Sequence, residues 1–287
     1  MSGAFVQVLS FDLLLLPGFI SLALGLHLIS VAVRGVPLAA YAALLFTPIA
    51  ALKFYPITHM TVLTLVASTI VTSVSVTVLY TMWQRIADLL FLLSDQRILC
   101  ELFLQLITIS LCSLIIGPST YLFPEALSTQ QFLLIPNTSP EQIASFLFAL
   151  SILLIFLPFL LAISRHQRLL LLFENRQLAL QAGISSPRMI FMMVLLGMIL
   201  ISSASISFVL DHGFNVTSLF MPFLYGLSVS LLVPGGAYLL LSSMCAIFVI
   251  GRGISIVVFG SWIDDILAFT IISVAVAITF RQHVSRV

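Results

Sequence analysis

Residues 165–188 read RHQRLLLLFENRQLALQAGISSPR, and residues 189–210, which follow without a break, read MIFMMVLLGMILISSASISFVL. The first stretch carries Arg165, Arg168, Arg176 and Arg188. The second carries no charge at all. A helix needs roughly 20 apolar residues to cross the hydrocarbon core of a bilayer. Met189–Leu210 meets that length, and the basic stretch before it marks the side from which it enters. This junction decides how the rest of the chain is threaded.

Working outward, further apolar runs fall at Leu13–Val33, Val36–Leu52, Ile57–Trp83, Ile98–Gly117, Gln142–Ser164, Val216–Val233, Gly236–Gly260 and Asp265–Phe280. The second, seventh and ninth of the series are short, which suits tilted, broken or re-entrant segments. None shows the period-2 alternation of barrel strands. In lipid every backbone group must be satisfied internally, so helices are the remaining solution. The expectation is an all-α, polytopic membrane protein with eight to nine transmembrane helices in a single domain.

Alternate threading gathers Arg34, Arg85, Arg97, Arg165, Arg168, Arg176, Arg188, Arg281 and Arg286 on one face and leaves only Lys53 and Arg252 on the other. By the positive-inside rule the crowded face is cytoplasmic. With nine crossings the N-terminus lies outside and the C-terminus inside; eight crossings would move one terminus. The first residues lack the basic n-region of a cleavable signal peptide.

Composition supports the same class. Charged residues make up 7% of the chain and hydrophobic residues 61%, with a mean hydropathy of +1.24. A soluble domain carries about 25% charged residues. So little charge cannot cover a water-facing surface, and lipid must be the main solvent. No basic stripe exists outside 165–188, so nucleic acid is not an expected partner. Cys100, Cys112 and Cys245 lie in apolar runs without metal-ligand spacing and read as buried small hydrophobes. No Gly-rich phosphate loop, HExxH motif or Ser-His-Asp arrangement is present. The chain is expected not to be an enzyme, to bind no cofactor of its own and to hydrolyse no ATP.

Two non-membrane stretches stand out besides 165–188. Pro118–Glu141 is a proline-rich external loop. Gln84–Arg97 places Ile86, Leu89, Leu90 and Leu93 at helical spacing and reads as a short helix on the cytoplasmic interface. Within 165–188, a helical pattern ends at Gly183, and Pro187 opens the next span. A short amphipathic helix on this face suits docking into a groove on another protein. A plain surface loop with a helix cap accounts for the same pattern.

Phe173-Glu174, Leu178-Ala179 and Gly183-Ile184 resemble the cytoplasmic signature of the metal-type ABC importer permeases, the membrane subunits of zinc, manganese and iron uptake systems. Other stretches resemble that family in the same order. They are Leu14-Leu15-Leu16-Pro17-Gly18-Phe19, Thr138-Ser139-Pro140-Glu141-Gln142-Ile143, Gly213-Phe214-Asn215-Val216 with Met221-Pro222, and the glycines Gly251 and Gly253. The resemblance spans nearly the whole chain, and its strength is collinearity. It implies a permease subunit in a bacterial inner or plasma membrane, dimeric with itself or with a second permease subunit. It further implies an ATP-binding subunit, which would hold the ATP, and an extracytoplasmic solute-binding protein. Phe173, Glu174, Leu178, Ala179, Gly183 and Ile184 would then couple the chain to the ATPase. A polytopic secondary transporter, or a membrane enzyme with its own substrate site, is the alternative.

The family's second span carries an Asp and a His four residues apart, and this chain has Val36 and Ala40 there. Any metal ligands must be sought elsewhere. Ionisable groups inside a membrane are costly and are functional candidates by default. Asp211 and His212 at the outer end of the sixth span, with His59 at the outer end of the third, offer oxygen and imidazole donors suited to divalent transition metals. His27 lies within the first span, where a hydrogen bond is the simpler expectation. Glu101 lies near the inner end of the fourth, with Arg97 one turn earlier as an expected partner. Asp264 and Asp265 read as interfacial.

Overall fold

The computed structural model describes residues 2–33, 36–58, 61–90, 94–117, 140–165, 186–212, 214–215, 218–233, 238–259 and 270. The described residues form eight α-helices and one 3-10 turn, with no β-strand among them. The helices are α1 (Ser2–Val33), α2 (Tyr41–Thr58), α3 (Thr61–Leu89), α4 (Ser94–Ile116), α5 (Pro140–Arg165), α6 (Ser186–His212), α7 (Phe220–Leu232) and α8 (Tyr238–Phe259). The 3-10 turn, Leu38–Ala40, leads into α2. The expected ninth span, Asp265–Phe280, lies outside the described residues apart from Thr270.

Four helices contain windows long and apolar enough to cross a membrane: Leu13–Val33, Leu63–Leu89, Gln96–Ile116 and Pro187–Val209. The chain is therefore an all-α membrane protein. Shorter apolar stretches occur in α2, α5, α7 and α8. The apolar window of α1 is 72% buried and that of α6 is 61% buried, against 17% for α4. So α1 and α6 are the core of the bundle and α4 is a peripheral helix. Leu99, Phe103, Ile107 and Leu114 of α4 are exposed, a face suited to lipid.

Small residues explain why α1 and α6 are the centre. Lipid tails are as apolar as Leu, so close backbone packing rather than hydrophobic exclusion holds membrane helices together. Gly25 and Gly197 face each other at the crossing. A Cβ at Gly25 would lie 2.6 Å from the Gly197 carbonyl oxygen, and one at Gly197 would lie 2.7 Å from that of Gly25. Gly18 likewise faces Ser207. These pairs make α1 and α6 antiparallel. α7 runs parallel to α1, because Gly226 packs on Leu22 while His27 meets Ser230 further along. α3 runs antiparallel to α6, with Leu65 against Ile206 and Ser73 against Ser202.

The structure corrects one expectation. Gln84–Arg97 is not a separate interfacial helix. Gln84–Leu89 continues α3, and Ser94–Arg97 opens α4. The apolar spacing of Ile86 and Leu89 extends the α3 pattern, and nothing in the sequence before Leu90 breaks the helix. Arg97 of α4 forms an ion pair with Asp88 of α3 at 2.7 Å, which ties the end of α3 to the start of α4. Both partners are partly exposed, so the pair contributes at most about 1 kcal/mol.

Cys112 and Cys245 are buried and Cys100 is half-buried, all with free thiols. Pro187 sits at the second position of α6, where its missing N–H costs nothing. α4 stops at Gly117, whose φ of 80° is readily adopted only without a side chain.

Candidate functional site

The strongest candidate forms around Glu101. This carboxyl sits in the first third of α4, inside an apolar window, and is 4% exposed. Three donors from two other elements converge on it. The Tyr80 hydroxyl donates to Oε1 at 3.3 Å and the Gln84 amide donates to the same oxygen at 3.1 Å. The Ala39 backbone N–H lies 3.5 Å from Oε2, at the long end of a hydrogen bond. Tyr80 and Gln84 are four residues apart on α3, so the helical period puts both on one face. Gln105, one turn beyond Glu101, is also buried.

The position of Ala39 explains the carboxyl. The start of a helix leaves backbone N–H groups without intrahelical partners and carries a partial positive charge. Pro37 prevents α1 from running on into α2 and fixes an irregular stretch before the 3-10 turn. That stretch is packed inside the bundle: Pro37 and Ala40 are buried, and Val36, Leu38 and Ala39 are half-buried. Irregular backbone at membrane depth is tolerated only where protein encloses it or a cavity borders it. Glu101 supplies, from another helix, an acceptor oxygen that the start of α2 lacks in its own sequence. The expected pairing of Glu101 with Arg97 does not form in the structure; Arg97 is turned to Asp88 instead.

A second short helix begins nearby. Tyr41, at the start of α2, is fully buried and packs edge-on against Phe223 of α7, with ring centroids 4.9 Å apart. It also contacts Phe220, the first residue of α7, at 6.1 Å. The N-terminal ends of the two shortest helices, α2 and α7, thus meet around one tyrosine.

Hydroxyl groups line the neighbouring helix contacts. Ser73 of α3 donates to Ser202 of α6 at 3.1 Å, and Ser205 of α6 donates to the Leu44 carbonyl of α2 at 2.5 Å. Thr69 returns its hydroxyl to the Leu65 carbonyl, within α3. Ser21, Thr77 and Ser207 are buried without a hydrogen-bond partner among the described residues. Polar contacts between membrane helices average about 0.6 kcal/mol. We therefore expect Ser73→Ala and Ser202→Ala each to cost less than about 1 kcal/mol. Their double-mutant coupling should be near 0.6 kcal/mol in a detergent-denaturation titration. A coupling of zero would separate the two hydroxyls.

His27 is buried in α1, and its Nδ1 lies 3.0 Å from the Ser230 carbonyl oxygen of α7. The hydrogen bond expected of this residue therefore links two helices. Of the metal candidates, His59 lies outside the described residues. Asp211 and His212 are the last two residues of α6, and their side chains lie outside the described set. Among the described residues no group of three or more His, Cys, Asp or Glu side chains gathers to hold a metal. The coupling residues Phe173, Glu174, Leu178, Ala179, Gly183 and Ile184 all lie outside the described residues. Sequence reasoning singles out Glu101 but misses Tyr80 and Gln84. The signal for them is the four-residue spacing of two polar side chains in an apolar helix.

No family profile, curated protein or solved structure matches this chain.

Proposed function

We propose that this chain is the membrane-spanning permease subunit of an ATP-binding-cassette importer for a divalent metal ion: zinc, manganese or iron. The observation that carries a transport reading is the meeting of α2 and α7. Transporters commonly place their sites where discontinuous helices begin inside the membrane, because helix ends supply partial charges and broken backbone supplies ligands. α2 and α7 are short, and their starts come together at Tyr41. The collinear resemblance from Leu14 to Gly253, with its cytoplasmic signature at 173–184, supports the ABC assignment within that class.

On this reading the chain works as a dimer in the bacterial inner or plasma membrane. A solute-binding protein delivers the cation to the outer face. A separate ATPase docks on residues 165–188 and switches the path from outward-open to inward-open. Asp211 and His212 at the end of α6 are the proposed first metal contacts in this chain, with His59. Each binds divalent metals, and transport requires binding weak enough to release them.

The test is the full chain expressed in its native membrane and purified with its partners. An ATP-binding protein should co-purify. Gly183→Val, at the helix stop of the coupling segment, should lower metal uptake by about tenfold or more while leaving membrane insertion intact. Wild-type uptake by that variant, or purification without any ATPase, would count against the proposal.

One observation favours the alternative, a secondary transporter with its own substrate site. Glu101 is a buried carboxyl in a membrane helix, and such groups serve as ion and proton relays in secondary transporters. Uptake by the purified chain alone in liposomes, without ATP, would favour that reading.

A further inference from the structure

α3 turns apolar side chains outward and hydroxyls inward. Ile70, Val71, Val74, Val78 and Leu79 are exposed. Thr64, Ser68 and Thr72 form one row of four-residue spacing, beside a second row of Thr69, Ser73 and Thr77, and each of the six is at most 4% exposed. The second row runs on to Tyr80 and Gln84, which hold Glu101. Residues three and four apart share a helix face, so these groups form one polar column. From Thr64 to Gln84 it is about 30 Å long at roughly 1.5 Å per residue, which is the thickness of the hydrocarbon core.

Other helices enclose the column. α2 and α6 both pack on α3, and the Ser73 hydroxyl lies 3.1 Å from that of Ser202 on α6. Ser68 and Thr69 bond the Leu65 carbonyl of their own helix. Thr77 is different. It is 0% exposed and lies one turn from Ser73 and one turn from Tyr80. Its hydroxyl has no hydrogen-bond partner among the described residues. Burying a hydroxyl without a partner is costly. Polar groups turned to the interior of a membrane bundle mark ion paths and proton relays. A metal cation needs several oxygen ligands around one point. These oxygens instead follow one another along a line, and a proton needs only one acceptor at a time.

We propose that the α3 column is a proton path ending at Glu101, with Thr77 as the link between Ser73 and Tyr80. Each hydroxyl accepts a proton on an oxygen lone pair and releases its own to the next, and Glu101 alternates between carboxylate and carboxyl. Tyr80 is the titratable side chain that faces Glu101 from α3, and Leu38–Ala40 offers it only backbone. Arg97, one turn before it on α4, is turned to Asp88. On α2, Tyr41 is turned to Phe223 and Lys53 is exposed. The inference rests on neither the transported solute nor the ATPase.

The test is proton flux into liposomes that hold the purified full chain and a pH-sensitive dye. A potassium diffusion potential drives it, with no ATP and no metal present. Wild-type liposomes should acidify faster than protein-free ones. Glu101→Gln should return the rate to the protein-free level. Thr77→Val keeps the side-chain shape and strands no partner, so the chain should remain as stable as the wild type. Its flux should still fall about tenfold, the order of one hydrogen bond in the path. Ser151→Ala, which removes an exposed hydroxyl on α5, should leave the flux unchanged. Wild-type flux no faster than that of protein-free liposomes overturns the proposal, and this outcome requires no variant to fold. So does unchanged flux in Thr77→Val. Sodium movement in place of proton movement overturns the proton as the ion carried. Metal uptake is not read in this experiment, so its failure leaves the permease reading standing.

Discussion

Gly25→Leu is expected to disrupt the bundle. A Cβ at this position would lie 2.6 Å from the Gly197 carbonyl oxygen and 2.8 Å from Ile201 Cγ1. The first neighbour is backbone, so no rotamer change relieves it. The two helices must separate, and α6 packs on α1 more extensively than any other helix does. Overpacking a core costs about 1–3 kcal/mol even where side chains can adjust. Here the cost should reach the upper end, about 3 kcal/mol or more. The measurement is a detergent-denaturation titration of the purified chain, with the fraction of protein in the membrane as a second readout. Gly251→Ala serves as the control, because a Cβ there meets nothing within 4 Å. Equal stability of Gly25→Leu and Gly251→Ala would mean that α1 and α6 do not cross as described.

The second large effect is expected at Glu101. Replacing it by Ala removes the acceptor for the Tyr80 hydroxyl and the Gln84 amide, and the oxygen facing the start of α2. A buried donor left without its partner costs about 1–3 kcal/mol in proteins, whereas polar contacts between membrane helices average nearer 0.6 kcal/mol. The second figure is low because separated helices in lipid find other partners. The start of α2 has fewer alternatives, since its orphan N–H groups are enclosed by the bundle. A total loss of about 3 kcal/mol for Glu101→Ala follows. Glu101→Gln keeps one acceptor oxygen and should cost about 1 kcal/mol, mainly because an amide NH2 group replaces the second acceptor oxygen. The ratio of the two is the informative quantity. A neutral Glu101→Ala would show that α2 begins without help from α4.

Much of the fold is legible in run length alone. Apolar runs place α5, α6 and α8 to within a turn or so at their ends, because a helix in lipid must be long and uncharged. The end of α1 is equally clear, but its start is not: the helix runs back to Ser2, where the apolar pattern is weaker. The boundary between α3 and α4 is obscured for a related reason. The polar residues Gln84–Arg97 suggest a departure from the membrane, yet the backbone simply stays helical through Leu89. Polarity reports where a residue is solvated, and a helix can leave the bilayer without ending.

The candidate site is less legible. A carboxyl in an apolar run marks Glu101 as a functional candidate by cost alone. Its nearest cation in sequence, Arg97, is the natural partner, but Asp88 at the end of α3 pairs with that arginine. What Glu101 meets instead comes from α3 and from the 3-10 turn before α2, at separations of 21, 17 and 62 residues. Local spacing carries no information about such contacts.

The sequence by itself determined the class of molecule: an all-α membrane protein. Charge content, run length and the absence of strand alternation leave no other solvent or secondary structure for this chain. The sequence did not by itself determine the breaks at Pro37 and Gly117, because Pro17 and Pro158 lie inside helices and Gly25 and Gly197 lie within theirs. Only the tertiary structure decided which helices are central and which groups meet. Every long span is comparably apolar, so hydropathy cannot rank them. The choice falls to Gly25 and Gly197, which let two backbones touch, and to Glu101, which reaches the buried start of a helix from a neighbour. Both depend on surfaces fitting in three dimensions, and a one-dimensional pattern does not encode that fit.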